Sequence, residues 1–411
     1  MKTLLRLTLS TGMALAWGAA SFGQHYTQTN LVANTPGVAP VTDPQLVNPW
    51  GISRTSGSPW WVSDNATGVS TLYNGAGVKQ GLIVTIPPSN PNNKKTPTGT
   101  PTGTIANSSA TDFLLAPKMP AAFLFSTIDG SIAAWNPGVA IAPGAMPPST
   151  HAVTVARGAN GSSYTGLTSA FINGQRYLYA ANFTKGSVDV YNNAFHPVTL
   201  PHVQEGENPH DDFAFDEDHR RGDDDKPFTD ERLPRNFVPF NVQAIGNDIV
   251  VTYVLHKDGA QFETDGPGLG YVDIYTSSGR LLRRLQHGDW LNAPWGVALA
   301  PLDFGRFSHD LLIGQFAGAG TTQSSGFIAA YDLSTGKLDG LLQDATGKPL
   351  AIPGIWAISP GNISPANSNA SAAAPGAELY FTALTISSTG PGGLFGYLSA
   401  VPAELIKGND Q

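Results

Sequence analysis

The sequence predicts an all-β fold, a six-bladed β-propeller with four-stranded blades in which an N-terminal strand completes the last blade. Three observations predict it. The 411 residues include 46 glycines and 32 prolines, which interrupt short apolar runs throughout the chain. Charged residues make up only 13%, too few for a helical bundle or a disordered chain. A unit of four short runs recurs along the chain, as in repeat architectures.

The repeat is clearest in the first and fifth units. Each opens with a proline, a tryptophan and a glycine and continues through three more β-rich runs, which turn residues separate. Four weaker copies follow the same order. Successive units are further apart than the ~40–50 residues of a compact propeller blade, so several blades are expected to carry long loops. The six units open near residues 51, 103, 166, 241, 296 and 354.

The start of each unit has a steric interpretation. The first strand of a blade lines the central channel, where six strands converge and a glycine allows two backbones to approach closely. In the fourth unit Asn241 replaces this glycine, and in the sixth Gly354 fits only after a shift of one residue. The glycines that follow the pattern are Gly51, Gly103, Gly166 and Gly296.

The two ends of the repeat array are expected to meet. The last unit ends after its third strand, whereas a β-rich run, residues 26–32, precedes the first unit without a partner. We predict that this run completes the sixth blade, because closure by strand exchange leaves no open sheet edge. A two-domain β-sandwich or a β-helix is the alternative, but neither accounts well for six units that each open with their own turn.

Residues 1–23 are expected to be a signal peptide and residues 24–411 a single propeller domain. Lys2 and Arg6 precede a mostly apolar stretch, and the small residues among 18–23 suit cleavage. No later window contains ~18 uninterrupted apolar residues, so no transmembrane segment is expected in the mature chain. These features predict a secreted or periplasmic bacterial protein.

The charge and the lack of cysteine exclude several classes of protein. Without cysteine there is no disulfide scaffold, iron–sulfur cluster or thiolate zinc site. The formal net charge of −8 argues against a nucleic-acid partner, because proteins of that class carry basic surfaces.

An acidic insertion, residues 203–236, separates the third and fourth units. It contains twelve acidic and five basic residues, which account for almost all of the net charge of −8. We expect a solvated loop, because charge of one sign opposes compaction. The alternative is a weak site for a hard cation such as Ca²⁺, with Asp223, Asp224 and Asp225 among its ligands, although the spacing does not match an EF-hand.

Two sets of residues are predicted to lie at the mouth of the channel. Three tryptophans occur in first strands, where their rings would either stack on a flat ligand or pack between blades. Polar residues end the second strands, where they would either bind a ligand or satisfy turns. Asp64 and Asn182 are the candidates among them for a divalent metal ion, and no catalytic residue is assigned. The two sets are Trp50, Trp295 and Trp356, and Asp64, Asn65, Asn182, His256 and Gln315.

The opening of the first unit resembles an NHL-type repeat. Residues 48–53 read Asn-Pro-Trp-Gly-Ile-Ser, residues 61–65 read Trp-Val-Ser-Asp-Asn, and residues 293–298 repeat the opening. Over nearly all of the mature chain the sequence is similar to a family of secreted bacterial six-bladed propellers without a characterised activity. That resemblance implies the fold and implies no reaction. Further shared stretches are residues 228–230, 233–234, 239–246 and 266–273.

Two classes of function follow from these features. The first is a secreted binding module that uses the channel mouth and the loop face for an extracytoplasmic protein, peptide or glycan. It rests on the lack of a nucleophile-elbow or phosphate-loop motif and on long predicted loops such as residues 85–100 and 143–149. The second is a periplasmic metal-dependent hydrolase or lyase, similar to gluconolactonases, with its site at the channel mouth. In either case we expect a monomer.

Overall fold

The computed structural model describes residues 24–93, 95–201, 226–317, 326–361, 377–387 and 390–401. In this part of the chain, six sheets of four or five strands account for the architecture, and one 3₁₀ turn, Gly305–Phe307, is the sole helical element. The predicted all-β six-bladed propeller is confirmed. The predicted signal peptide, residues 1–23, and the candidate calcium ligands Asp223, Asp224 and Asp225 lie outside the described residues. The described part contains no helix long and apolar enough to cross a membrane.

The strands of the first three blades follow the chain from the inside of each blade outward. β1 (Tyr26–Ala33) and β2 (Val41–Thr42) precede blade 1, which comprises β3 (Pro49–Ser53), β4 (Trp60–Asp64), β5 (Val69–Tyr73) and β6 (Val84–Thr85). Blade 2 comprises β7 (Pro101–Ala106), then a separate hairpin of β8 (Leu114–Ala116) and β9 (Met119–Pro120), then β10 (Phe123–Thr127), β11 (Ser131–Trp135) and β12 (Val153–Arg157). Blade 3 comprises β13 (Tyr164–Ile172), β14 (Gln175–Asn182), β15 (Ser187–Asn192) and β16 (Pro197–Val198).

Blades 4 and 5 repeat this arrangement, and blade 6 contributes three strands from the end of the chain. Blade 4 comprises β17 (Phe237–Ile245), β18 (Asp248–Leu255), β19 (Gly270–Tyr275) and β20 (Leu281–Arg284). Blade 5 comprises β21 (Pro294–Leu299), β22 (Leu311–Gln315), β23 (Ile328–Tyr331) and β24 (Leu338–Leu341). Blade 6 contains β25 (Ile355–Pro360), β26 (Glu378–Ser387) and β27 (Gly390–Ala400).

The N-terminal strand closes the ring. β1 pairs with β27 in antiparallel register from Tyr26 opposite Ala400 to Ala33 opposite Leu394. The predicted completion of the sixth blade is therefore confirmed. β2 adds a fifth strand to this blade by pairing in parallel with β1, a feature that the sequence did not predict.

The inner strands are close enough to require glycine. They contact one another in order around the channel, and β25 contacts β3 to complete the ring. A Cβ atom on Gly51 would lie 2.6 Å from the carbonyl oxygen of Thr102, and one on Gly296 would lie 2.6 Å from that of Trp356. Neither position has room for a side chain, which confirms the steric interpretation. Asn241, at the equivalent position of blade 4, donates from Nδ2 to the carbonyl oxygen of Trp295 at 2.7 Å and so links β17 to β21.

The sixth blade departs from the glycine pattern. β25 pairs with β26 at the spacing at which β3 pairs with β4, so Trp356 corresponds to Trp50. Ala357 therefore takes the place of the channel glycine. Gly354 lies in the turn before β25 with φ of +73°, a conformation that favours glycine.

All six inner strands begin at one face of the ring, which we call the upper face. In blade 1, Pro49 at the start of β3 pairs with Asp64 at the end of β4, and in blade 5 Pro294 pairs with Gln315 in the same way. The turns between second and third strands and the connections from one blade to the next therefore share the upper face. The connections between first and second strands lie on the opposite, lower face.

The end of the acidic insertion packs between blades 3 and 4. The ring of Phe228 contacts those of Tyr179 in blade 3 and Tyr275 in blade 4. Asp230 is buried and accepts a hydrogen bond from the guanidinium of Arg284 at 2.6 Å. These contacts belong to the packed fold, so the insertion is not solvated along its whole length. Residues 203–225 lie outside the described residues.

Candidate functional site

The three predicted channel tryptophans meet at the upper face. The rings of Trp50 and Trp356 are stacked with centroids 3.6 Å apart, and Trp295 stands edge-on to them at 5.9 and 5.7 Å. Their exposed fractions are 6%, 2% and 3%, respectively. The three rings therefore pack against one another, which agrees with the second of the two predicted roles, packing, and not with stacking on a ligand.

Further aromatic rings extend this cluster into an aromatic plug. Phe316 stacks on Trp356 at 3.8 Å, and Phe240 lies between Trp356 and Phe183. The Nε1 atom of Trp295 donates to the carbonyl oxygen of Thr165 at 3.0 Å, a link that holds its ring against blade 3. A flat ligand would reach these ring faces only by separating the plug.

A small polar cavity lies in the channel below the plug. Its volume is about 30 Å³, and Asn241 and Gln243 line it together with backbone of Gly51 and Gly103. A space of this size accommodates about one water molecule and no organic ligand. In the described part of the chain, side chains therefore occupy the channel from the plug to this cavity.

The predicted amide side chains at the strand ends hold the connections between blades. Asn65 donates from Nδ2 to the carbonyl oxygen of Pro101 at 3.1 Å, which ties blade 1 to blade 2. Gln315 accepts from the backbone N–H of Asn292 at 2.9 Å and donates to the carbonyl oxygen of Ile313 at 3.0 Å. Both amides satisfy backbone groups that would otherwise be buried without partners.

Asp64 is buried inside blade 1. Its Oδ2 atom accepts hydrogen bonds from the backbone N–H of Thr71 at 3.0 Å and from its hydroxyl at 2.7 Å, whereas Oδ1 has no partner among the described residues. Burial raises the pKa of this carboxyl well above its usual value. Burial disfavours the charged form of a carboxyl, which is the form that binds a divalent ion.

His256 begins the turn between β18 and β19. Its Nε2 atom lies 2.9 Å from the carbonyl oxygen of Ala260, and its ring packs on Phe183 with centroids 4.4 Å apart. The contact places this histidine at the edge of the aromatic plug. Because a carbonyl oxygen can only accept a hydrogen bond, Nε2 carries the proton and donates it.

Glu263, in the same turn, was not predicted as a site residue. Burial, with a smaller contribution from the negative charge of Asp265, raises the pKa of Glu263 to about 7. The sequence offers no signal for this, because a single glutamate in a polar turn is ordinarily solvated. Its burial depends on how the turn folds back over blade 4.

A groove of about 400 Å³ opens on the upper face at blade 2, and we call it the blade 2 groove. Three connections of the upper face line it, one before blade 2, one within it and one after it. The first of them belongs to the predicted long loop of residues 85–100, but no residue of the groove was predicted as a site residue. The lining residues are Ser89, Asn90, Pro91, Asp129, Gly130, Arg157, Gly158, Ala159, Asn160, Gly161 and Ser162.

Two charged side chains fix one wall of the groove. Oδ2 of Asp129 accepts from the backbone N–H of Ser89 at 2.6 Å, and Nε of Arg157 donates to the carbonyl oxygen of the same residue at 2.6 Å. Both side chains are exposed to solvent. Each therefore holds the wall with one atom and presents its other polar atoms outward.

The predicted residue Asn182 supports the opposite wall. It donates from Nδ2 to Oγ of Ser162 at 3.0 Å and to Oδ2 of Asp189 at 2.8 Å, and its Oδ1 accepts from the backbone N–H of Ser163 at 3.3 Å. Asn182 is 1% exposed. It acts as a support for the groove, and both of its amide atoms have hydrogen-bond partners.

The described residues contain no group of three or more His, Asp or Glu side chains placed to hold a metal ion. At the channel mouth, Asp64 is buried and both amide atoms of Asn182 have hydrogen-bond partners. A metal site at Asp64 and Asn182 remains a prediction. The calcium site at residues 223–225 remains a prediction.

Comparison with known proteins gives relatives without an assigned activity. No protein-family model matches the chain. It is 30% identical over 243 residues to uncharacterized protein R640 of Acanthamoeba polyphaga mimivirus, over 59% of this chain and only 38% of that protein. It is 26% identical over 335 residues to uncharacterized protein R648 of the same virus, over 80% of this chain and 72% of that protein. These relatives are viral, so a bacterial origin and an NHL-type repeat remain predictions.

Similar solved structures share little sequence with this chain. A streptogramin B lyase is 11% identical with a TM-score of 0.44, over 92% of this chain and 98% of that one. The gluconolactonase XC5397 from Xanthomonas campestris is 10% identical with a TM-score of 0.32, over 68% of this chain and 82% of that one. Likenesses of this size say nothing about activity.

Proposed function

We propose that this protein is a secreted binding module whose ligand occupies the upper face, in the blade 2 groove. The observation that supports this most directly is accessibility. The groove has a volume of about 400 Å³, within the usual range for ligand pockets, and its charged side chains face solvent. The channel mouth, in contrast, is filled by the aromatic plug.

A variant that fills the groove tests this proposal. Ala159 is exposed and lines the groove, so Ala159→Trp adds a large ring there without displacing the core. Ala76 is also exposed, in the connection between β5 and β6, which leaves the end of β5 opposite to the upper face, and Ala76→Trp is the matched control. Labelled protein is applied to arrays of soluble glycans and peptides. We expect a ligand that wild type and Ala76→Trp retain and Ala159→Trp loses, whereas equal retention by all three would refute the proposal.

The alternative is a periplasmic metal-dependent hydrolase or lyase at the channel mouth. One observation favours it, since the pKa of Glu263 on the upper face is about 7, a value suited to general acid–base chemistry. Elemental analysis of purified protein separates the two functions. A stoichiometric divalent ion that is lost on Asp64→Ala would favour the enzyme, and its absence from wild type would favour the binding module.

A further inference from the structure

We propose that the blade 2 groove binds an acidic saccharide, with the carboxylate of a uronic acid on Arg157 and its hydroxyl groups on Asp129. This inference rests on the proposed binding function and names its ligand class. The two charged groups belong to different connections, and each is oriented by the backbone of the same residue, Ser89. The groove therefore presents a cation and an anion at fixed positions.

Arg157 is built to receive a carboxylate. Its Nε atom is anchored on the carbonyl oxygen of Ser89, and its terminal nitrogens have no partner among the described residues. The anchor fixes the plane of the guanidinium while leaving two donors side by side. Arginine binds carboxylates through two parallel hydrogen bonds in this arrangement, and less conformational freedom is lost when the guanidinium is already oriented.

Asp129 selects hydroxyl groups next to that carboxylate. Its Oδ2 atom holds the backbone N–H of Ser89, and Oδ1 remains as an acceptor. A carboxylate side chain repels a second carboxylate and accepts hydrogen bonds from hydroxyl groups. The amide of Asn160 is exposed on the adjoining connection and offers both a donor and an acceptor. A polyhydroxylated ligand that carries an acid group matches this pattern.

The remaining wall is made of backbone and carries a second cation at its edge. A Cβ on Gly130, whose φ is +76°, would collide with the carbonyl oxygen of Ser162, and Gly158 is equally confined. The ammonium of Lys185 lies 3.5 Å from the point that a Cβ on Gly161 would occupy. The absence of side chains at Gly130 and Gly158 lets the connections pack closely against Ser162, and the second cation favours an anionic ligand.

The groove has no aromatic lining residue, so affinity is expected to come from polar contacts. Ion pairs at an exposed site are screened by salt, with a Debye length of ~8 Å at physiological ionic strength. We therefore expect binding to weaken as salt is raised. A groove that recognised its ligand mainly by apolar contact would not show this dependence.

Calorimetric titration with tri-galacturonate and with neutral galactotriose tests the inference. We expect the acidic sugar to bind and the neutral sugar to bind at least about ten-fold more weakly, as for the loss of one charged hydrogen-bonded contact. Arg157→Gln should abolish this preference. Arg306→Gln is the matched control, because Arg306 is exposed on the lower face and donates to a single backbone carbonyl, that of Asp339, at 3.0 Å.

The outcomes distinguish the inference from the proposed function. Equal binding of the two sugars, with both lost in Ala159→Trp, would overturn the acidic ligand and leave the binding groove intact. Acidic-sugar binding that Arg157→Gln does not change would overturn its placement on Arg157. A peptide with a free C-terminal carboxylate that binds where tri-galacturonate does not would overturn the saccharide. Binding of every ligand unchanged in Ala159→Trp would overturn the proposed function itself.

Discussion

A disulfide across the strand that closes the ring is the strongest test of the architecture. Thr27 of β1 lies opposite Ser399 of β27, and both side chains are at least partly exposed. Directly opposed residues of antiparallel strands have Cα atoms about 4.5–5.5 Å apart, within the span of a disulfide. The natural chain has no cysteine, so Thr27→Cys with Ser399→Cys introduces one pair that cannot exchange with others.

The expected stabilisation follows from the length of chain that the bond would enclose. Residues 27 and 399 enclose about 370 residues, for which the chain-entropy relation gives about 6 kcal/mol. Engineered disulfides usually contribute less, so we expect ~2–4 kcal/mol. At about 2 °C per kcal/mol, the oxidised protein should melt roughly 4–8 °C above its reduced form.

The assay compares calorimetric scans with and without reductant, and mass spectrometry confirms the cross-link. The control is the pair Thr29→Cys with Ser399→Cys. Thr29 lies opposite Tyr397, so Thr29 and Ser399 are diagonal neighbours and not directly opposed. Diagonal neighbours are about 7–8 Å apart, too far for a relaxed disulfide. Equal cross-linking of both pairs, or a cross-link that leaves the Tm unchanged, would refute the closure of the ring by β1.

Two further predictions concern packing and electrostatics. Gly51→Ala should destabilise the protein by about 1–3 kcal/mol in urea unfolding, because the added Cβ would collide with the neighbouring inner strand. Gly81→Ala is the control, because a Cβ on Gly81 would extend into open space. An equal loss of stability in both variants would contradict the reasoning. Burial beside Asp339 raises the pKa of Asp310 to about 6, so the folded state holds this proton more tightly than the unfolded state. The contribution of Asp310 to the stability of wild type should therefore decrease as the pH rises from about 4 to about 6. Asp310→Asn lacks this titration, so its Tm relative to wild type should rise over that interval. Asp344 is the control because hydrogen bonds to its side chain lower its pKa, so the Tm of Asp344→Asn relative to wild type should fall as the pH rises towards about 4 and change little above it. Parallel pH profiles for all three proteins would contradict this account.

The inner ring was predictable because its constraints are local. The proline, tryptophan and glycine that open blades 1 and 5 occupy consecutive positions, and the space available at Gly51 explains why no larger residue stands there. β1 was predictable because an unpaired β-rich run and an incomplete blade occur at opposite ends of the chain. β2 was not, because a strand of two residues, Val41–Thr42, has no periodicity that a sequence can reveal.

The candidate site was less predictable because it depends on which loops meet. The sequence identified three tryptophans at equivalent positions, but whether their rings pack or remain open depends on the width of the channel. Asp129 and Arg157 belong to connections 28 residues apart, and neither stands in a motif. They meet only through the backbone of Ser89, from a third connection. Nothing in the spacing of these residues indicates the contact.

In this fold, polar residues at strand ends do not indicate a ligand site, because they bind the backbone of the adjoining turns. Each second strand ends where the chain turns, and its buried backbone groups require partners. Asn65 and Gln315 provide those partners, so their amide atoms are engaged before any ligand arrives. A ligand site then has to use groups further along the connections.

Arg157 and Asp129 are groups of that kind, because each fixes a loop with one atom and keeps other atoms exposed. Replacing either side chain therefore removes both a loop contact and a ligand contact. The two effects are separable, since loss of an exposed hydrogen bond lowers stability by only about 0.5–1.5 kcal/mol. If an Arg157 variant keeps nearly its full Tm and loses the preference for the acidic sugar, it has lost the ligand contact. If the Tm falls markedly together with that preference, Arg157 acts only in holding the loop.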